Sequence, residues 1–357
     1  GYDTGYVGKW HVDGQGRSAF IPPERQQGFD YWKVLECSHS YNNSFYYEGA
    51  SPVKKRWQGY DVLAQTRDVQ RYIADHANGP KPFVIFLSWG PPHAPYGTAP
   101  KEYQDQFSPE NIQLQPNVPQ KVAGRSRREL AGYYAHIIAM DECVGDLRAT
   151  IQKAGIEENT IFVFTSDHGD MLGSHAMHKK QRPHDESCHV PFLIYYPSGL
   201  GDEGRRIDMP FGTPDIMPTL LGLSGVDIPS SVEGTDYSKV FAGTAEPDNN
   251  AALIECVAPF GQWPRKRGGK EFRGIRTRRY TYVRDLKGPW LLFDNQKDPY
   301  QMNNLVNSPE SKPLLEELDK KLRGKLNERK DEFLPGDEYI KKWGYKVNAS
   351  GTIPYRR

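Results

Sequence analysis

Short runs of β-branched and aromatic residues alternate, along the first two thirds of the chain, with longer stretches whose apolar positions recur every three or four residues. The short runs at residues 5–9, 82–89, 160–166 and 191–196 predict strands. Leu130, Tyr134, Ile137, Met140, Val144, Leu147 and Ile151 share one face of a helix expected from about 126 to 154, with Gly155 as its C-terminal stop. A second helix is expected from 61 to about 76, ahead of the strand at Phe83. Strands and helices in this alternation predict an α/β fold, a mostly parallel sheet flanked by helices.

The pattern changes from about residue 249. Residues 252–256, 272–277, 280–284 and 290–294 read as strands joined by short turns, which predicts a smaller subdomain built on an antiparallel sheet. A closing helix from 313 to about 330 carries Leu314, Leu315, Leu318, Leu322 and Leu326 on one face. The domain boundary is expected near 243–250, separating an α/β domain (1–246) from an α+β subdomain (247–357). The basic stretch 265–270 reads as a solvated loop, with contact to an acidic substrate as the alternative.

Charge narrows the choice of partner. The 357 residues hold 46 Lys plus Arg against 45 Asp plus Glu, so no global field is available to hold nucleic acid or a membrane surface, and an anion must be bound locally. No apolar run approaches the roughly 20 residues of a membrane-spanning helix. Cys37, Cys143, Cys188 and Cys256 form no metal-ligand or redox spacing. The chain opens at Gly1 without Met or an apolar leader, and the expectation is that the natural start, including any signal peptide, lies upstream.

Ligands of open parallel sheets sit beyond the carboxyl ends of the strands, and unusual polar residues follow several of the strands expected here. Trp10 and His11 follow the first strand, which ends in Lys9; Gly90-Pro91-Pro92-His93-Ala94-Pro95-Tyr96 follows the second; Ser166-Asp167-His168-Gly169-Asp170 follows the third. A carboxylate beside an imidazole could ligate a divalent cation, while Lys and His suit the oxygens of an anion. Singly, each has a plainer reading: Asp167 as a helix N-cap, His93 as a turn residue, Lys9 as a solvated strand end. Their coincidence at one rim suggests cleavage of an anionic ester at a metal-bound centre. Lys9, His11, His93, Asp167, His168 and Lys180 are accordingly expected around one cavity.

These residues resemble those of a known family, the type I sulfatases of the alkaline-phosphatase superfamily. Gly1-Tyr2-Asp3-Thr4-Gly5-Tyr6-Val7-Gly8-Lys9-Trp10-His11 is similar to the second sulfatase signature, and residues 164–173, Phe-Thr-Ser-Asp-His-Gly-Asp-Met-Leu-Gly, resemble the second metal segment. Lys180, eleven positions before Pro191, matches the family's spacing from lysine through Glu186-Ser187 to Val190-Pro191. Residues 214–221 and 292–299 resemble two further family segments. The resemblance implies an alkaline-phosphatase-like fold and hydrolysis of a sulfate ester, most plausibly of a carbohydrate. It implies that Asp167 and His168 ligate calcium, that Lys9 and His11 contact the nucleophile, and that His93 and Lys180 hold the sulfate, one of them protonating the leaving oxygen. The implied nucleophile is a hydrated formylglycine, made by a formylglycine-generating enzyme from Cys or Ser in C/S-x-P-x-R; the implied location is periplasmic or secreted.

Some features depart from the family pattern. None of the four cysteines is followed by x-P-x-R, and the early acidic pair that completes the calcium site is missing. Both normally lie upstream of the signature at Gly1, so an N-terminally truncated chain is expected, itself inactive and weak in calcium binding. His184 and His189 stand where many relatives carry an aromatic residue and an arginine, and Lys179 beside Lys180 leaves the lysine register open by one. A phosphonate or phosphate diester hydrolase of the same superfamily, and a non-catalytic anion-binding descendant, remain alternatives at this level.

Overall fold

The computed structural model describes residues 1–247, 251–348 and 352–354. They form two compact units, one holding Gly1–Leu114 and Gln120–Thr160, the other Gln115–Pro119 and the described part of Ile161–Thr352. The domain boundary expected near 243–250 runs into residues outside the described set.

Strands β1 (Asp3–Lys9), β2 (Tyr31–Leu35), β3 (Phe45–Glu48), β4 (Lys55–Arg56) and β5 (Phe83–Ser88) make one sheet in the first unit, in the order β4-β3-β2-β1-β5. β1 is parallel to both β2 and β5, and β3 and β4 extend the sheet antiparallel. Gly8 has φ +112°, and a Cβ there would lie 2.1 Å from the Ser88 carbonyl oxygen, so only glycine lets β1 and β5 run this close. The return to β5 is made by helix α1 (Asp61–His76), as the sequence predicts. Asp68 on α1 is fully buried and accepts hydrogen bonds from Tyr31 Oη at 2.6 Å and Lys33 Nζ at 2.7 Å, which fixes the helix over β2. Helix α2 (Gln120–Lys153) packs Ala135, Ala139, Met140 and Cys143 against Tyr60 and Val62.

Strands β6 (Phe162–Thr165) and β7 (Phe192–Tyr195) of the second unit pair antiparallel, with Phe162 opposite Tyr195. The chain between them folds back on itself instead of crossing over a sheet. β8 (Ala252–Cys256), β9 (Phe272–Arg276), β10 (Tyr280–Asp285) and β11 (Gly288–Asp294) form the expected antiparallel sheet, in the order β11-β10-β9-β8. The short helix α3 (Asp185–Cys188) precedes β7; α4 (Thr213–Leu223) follows it and holds the first of the two further family-like segments. The last long helix, α5 (Lys312–Glu328), buries Leu318, Leu322 and Leu326 against Ile275, Tyr282 and Leu292. Among the described residues no helix is long and apolar enough to cross a membrane.

His136, in the middle of α2, is fully buried; its Nδ1 lies 2.6 Å from Tyr60 Oη, and burial pushes its pKa down to about 4. The folded state holds the ring neutral, whereas the unfolded chain takes up a proton below about pH 6.5. The stability it contributes is therefore complete above that pH and is lost as pH falls toward 4. Going from pH 7 to 5 should cost about 2 kcal/mol from this group alone. Urea titrations should show a flatter stability–pH curve for His136→Gln than for the parent; parallel curves would contradict the assignment.

Candidate active site

The first unit places Lys9, His11 and His93 at the carboxyl ends of neighbouring parallel strands. Lys9 is the last residue of β1, and Trp10 is pinned behind it: its N–H donates to the Leu35 carbonyl at 3.0 Å, and its indole meets Tyr6 and Trp32 edge-on at 4.9 and 5.0 Å. His11 then turns into the left-handed region at φ +62°, a conformation that side chains other than glycine adopt rarely and mostly where the surroundings hold them. His93 follows β5. Its Nδ1 lies 2.9 Å from the Ala94 carbonyl, so Nδ1 carries the proton in the neutral ring and Nε2 the lone pair.

Two residues that the sequence reading passed over support His93. Tyr41 Oη donates to the His93 carbonyl at 2.8 Å, and the His39 ring stacks on the His93 ring at 4.6 Å and 14°. Both follow β2, a strand the apolar pattern did not reveal. A polar loop containing Cys37-Ser38-His39 was the signal available.

Asp167, His168 and Lys180 come together in the second unit on one folded segment. His168 Nδ1 donates to the Gly169 carbonyl at 2.8 Å, and its Nε2 lies 3.4 Å from Asp167 Oδ2. Backbone contact closes the segment, because the Gly169 N–H donates to the Ser187 carbonyl at 3.0 Å and a Cβ on Gly169 would sit 2.0 Å from the Glu186 carbonyl. Asp170 Oδ1 accepts the N–H groups of Leu172 at 3.2 Å and Lys179 at 2.8 Å, and so returns the Lys179-Lys180 pair to the segment that carries Asp167. The loop between is strained: Leu172, His175, Ala176, Lys179 and Gln181 all have positive φ.

Its far end is fastened to the antiparallel sheet. Asp185 on α3 accepts Arg276 Nε at 3.1 Å and Nη2 at 3.0 Å from β9, while Gln301 Oε1 takes the Asp185 N–H at 3.0 Å. His184 packs as an aromatic ring, on His175 at 4.6 Å and Phe293 at 5.9 Å. Burial holds its pKa down at about 4, so the ring is neutral. Among the described residues no three His, Cys, Asp or Glu side chains gather as a metal site; Asp167 and His168 make a pair.

Residues 1–226 match the Sulfatase family model, and residues 173–328 match that of the N-sulphoglucosamine sulphohydrolase C-terminal region. The chain belongs to the sulfatase family. It is a type I sulfatase of the alkaline-phosphatase superfamily and hence a sulfuric ester hydrolase. It is 46% identical to the ulvan-active sulfatase of Formosa agariphila, over 99% of this chain and 70% of the relative. An endo-4-O-sulfatase of Bacteroides thetaiotaomicron is 29% identical over 99% of this chain and 75% of its own length. Among solved structures, one from a glycosaminoglycan-metabolising locus of Bacteroides thetaiotaomicron superposes with a TM-score of 0.81 at 28% identity, covering 96% of this chain and 77% of that one. The sulfatase fold thus accounts for the arrangement of parallel strands, helices and C-terminal antiparallel sheet.

Removing the Asp170 carboxylate would leave two backbone N–H groups without their acceptor in a loop of left-handed residues. Asp170→Ala should speed hydrogen exchange across residues 171–181 by at least about tenfold, given about 1–3 kcal/mol for each donor left unsatisfied. Unchanged protection there would show that other contacts hold the loop.

Proposed function

We propose that this sulfatase removes a sulfate ester from a carbohydrate, with Lys180 and His93 holding the sulfate and Lys9 and His11 beside the nucleophile. The observation that carries this reading is the closed segment in which Asp170 ties the Lys179 backbone to the loop that presents Asp167 and His168. A carbohydrate substrate is favoured by the relatives, one of them ulvan-active and another structure drawn from a glycosaminoglycan locus.

A lysine ammonium such as that of Lys180 suits the sulfuryl oxygens, whose charge rises as the ester bond breaks. With Nδ1 of His93 committed to the Ala94 carbonyl, Nε2 is the nitrogen on which that ring would carry a proton to the leaving oxygen. The nucleophile of this reading is formylglycine, whose C/S-x-P-x-R motif begins at none of the four cysteines here. Asp167 Oδ2 and His168 Nε2, two acceptors 3.4 Å apart with the imidazole oriented by a carbonyl, suit one side of a cation. They are a partial set for calcium, which takes six to eight ligands. When bound, calcium supplies positive charge that offsets the negative charge on the sulfuryl oxygens.

In the formylglycine-matured enzyme, Lys180→Ala should lower kcat/KM on an aryl sulfate by about 10²–10³. Lys179→Ala should cost far less, since that residue is held through its backbone. Equal losses would leave the sulfate contact unassigned, and a loss confined to Lys179 would move it by one residue. Calorimetric titration should show calcium affinity reduced in Asp167→Asn relative to the parent; identical isotherms would place the ion elsewhere.

A further inference from the structure

Two arginines of the described chain are deeply buried, and they differ in one respect. Arg273, 1% exposed, is paired with Asp331 and stacks on Phe333 at 4.9 Å. Arg182, 9% exposed, has no acidic partner among the described residues. Its Nη1 donates to the Lys180 carbonyl at 3.2 Å, and its guanidinium lies 4.1 Å from the centre of the Trp263 ring. Its Nε is buried without a hydrogen-bond partner, as is Nδ1 of His184 two residues later.

Taking a guanidinium out of water without a counter-charge is unfavourable, and a cation–π contact recovers only part of that. Burial draws the Arg182 pKa down to about 10, which still leaves it charged at neutral pH. His184, neutral and buried beside it, offers no compensation. The backbone N–H of Trp263 donates to Gln181 Oε1 at 3.1 Å, which ties its main chain to the same loop, and the indole stacks on Trp290 at 6.3 Å. A guanidinium over an aromatic ring still carries a planar fork of N–H donors that matches a carboxylate or sulfate, a geometry that lysine cannot reproduce.

We propose that Arg182 is a substrate-specificity residue that binds a second anionic group, a carboxylate or a second sulfate, on the carbohydrate whose sulfate ester is cleaved. The proposal rests on the reading that Lys180, two residues away, holds the sulfate being removed. It gives this near-neutral chain a local contact for a polyanionic substrate.

The test uses the formylglycine-matured enzyme with three probes: para-nitrophenyl sulfate, a monosulfated disaccharide containing a uronic acid, and a disulfated disaccharide without carboxylate. Arg182→Gln should lower kcat/KM on one of the disaccharides about 10–100-fold more than on the aryl sulfate, mainly through KM. The disaccharide affected identifies the anion. Arg182→Lys should recover only part of the loss, and the melting temperature of Arg182→Gln should equal or exceed that of the parent, because an uncompensated buried charge has been removed. An equal loss on all three probes, or a lowered melting temperature with unchanged substrate ratios, would overturn the proposal and make Arg182 a support for the loop. Lys180→Ala tests the underlying reading separately: full activity of that variant on the aryl sulfate would remove Lys180 from the sulfate site, whatever ratio Arg182→Gln returns.

Discussion

Asp185 is the residue that ties the candidate loop of the second unit to the antiparallel sheet. Its carboxylate takes both nitrogens of the Arg276 fork at 3.1 and 3.0 Å, and Gln301 Nε2 also donates to it at 3.1 Å. Bidentate, charge-assisted bonds of this kind fix orientation as well as position. They matter because residues 172–181 contain several left-handed conformations, which persist where the surrounding structure restrains them. Asp170 holds Leu172 and Lys179 together through their N–H groups, and Asp185 anchors the chain that follows. The antiparallel sheet is thereby part of what places Lys180, rather than an appendage to the fold.

Much of this was legible in the chain. The expected helix from 61 to 76 and the expected strand from 252 to 256 coincide with α1 and β8, because an amphipathic period and a flanked apolar run each admit one interpretation. Strands β2, β3 and β4 were not legible. They carry Lys33, Glu48, Lys55 and Arg56, whose charges read as loop until the sheet sets Lys33 opposite Glu48 and pairs them at 3.5 Å. Of the candidate site, motif spacing located the residues that follow strands. It did not locate Tyr41 behind His93, or Trp263 against Gln181 and Arg182, since these meet across 52 and 82 positions and no local pattern encodes such contacts.

The two departures near α3 also resolve in physical terms. His184, kept neutral by burial, packs as an aromatic ring among His175 and Phe293. His189 lies 3.7 Å from Asp185 Oδ2 and remains largely exposed, a polar nitrogen beside the same carboxylate. One histidine thus serves packing and the other a polar contact.

Support supplied from a distant stretch of chain also constrains how such a protein can be inherited. Gln181, Arg182 and Asp185 rely on Trp263, Arg276 and Gln301, all of them encoded downstream of β7. A recombination event that replaced only the downstream region would bring new partners to an unchanged lysine loop, altering its shape without touching one residue of the sulfatase signature. Divergence in what a descendant recognises can therefore begin in the antiparallel sheet, where a comparison confined to signature residues would see no difference.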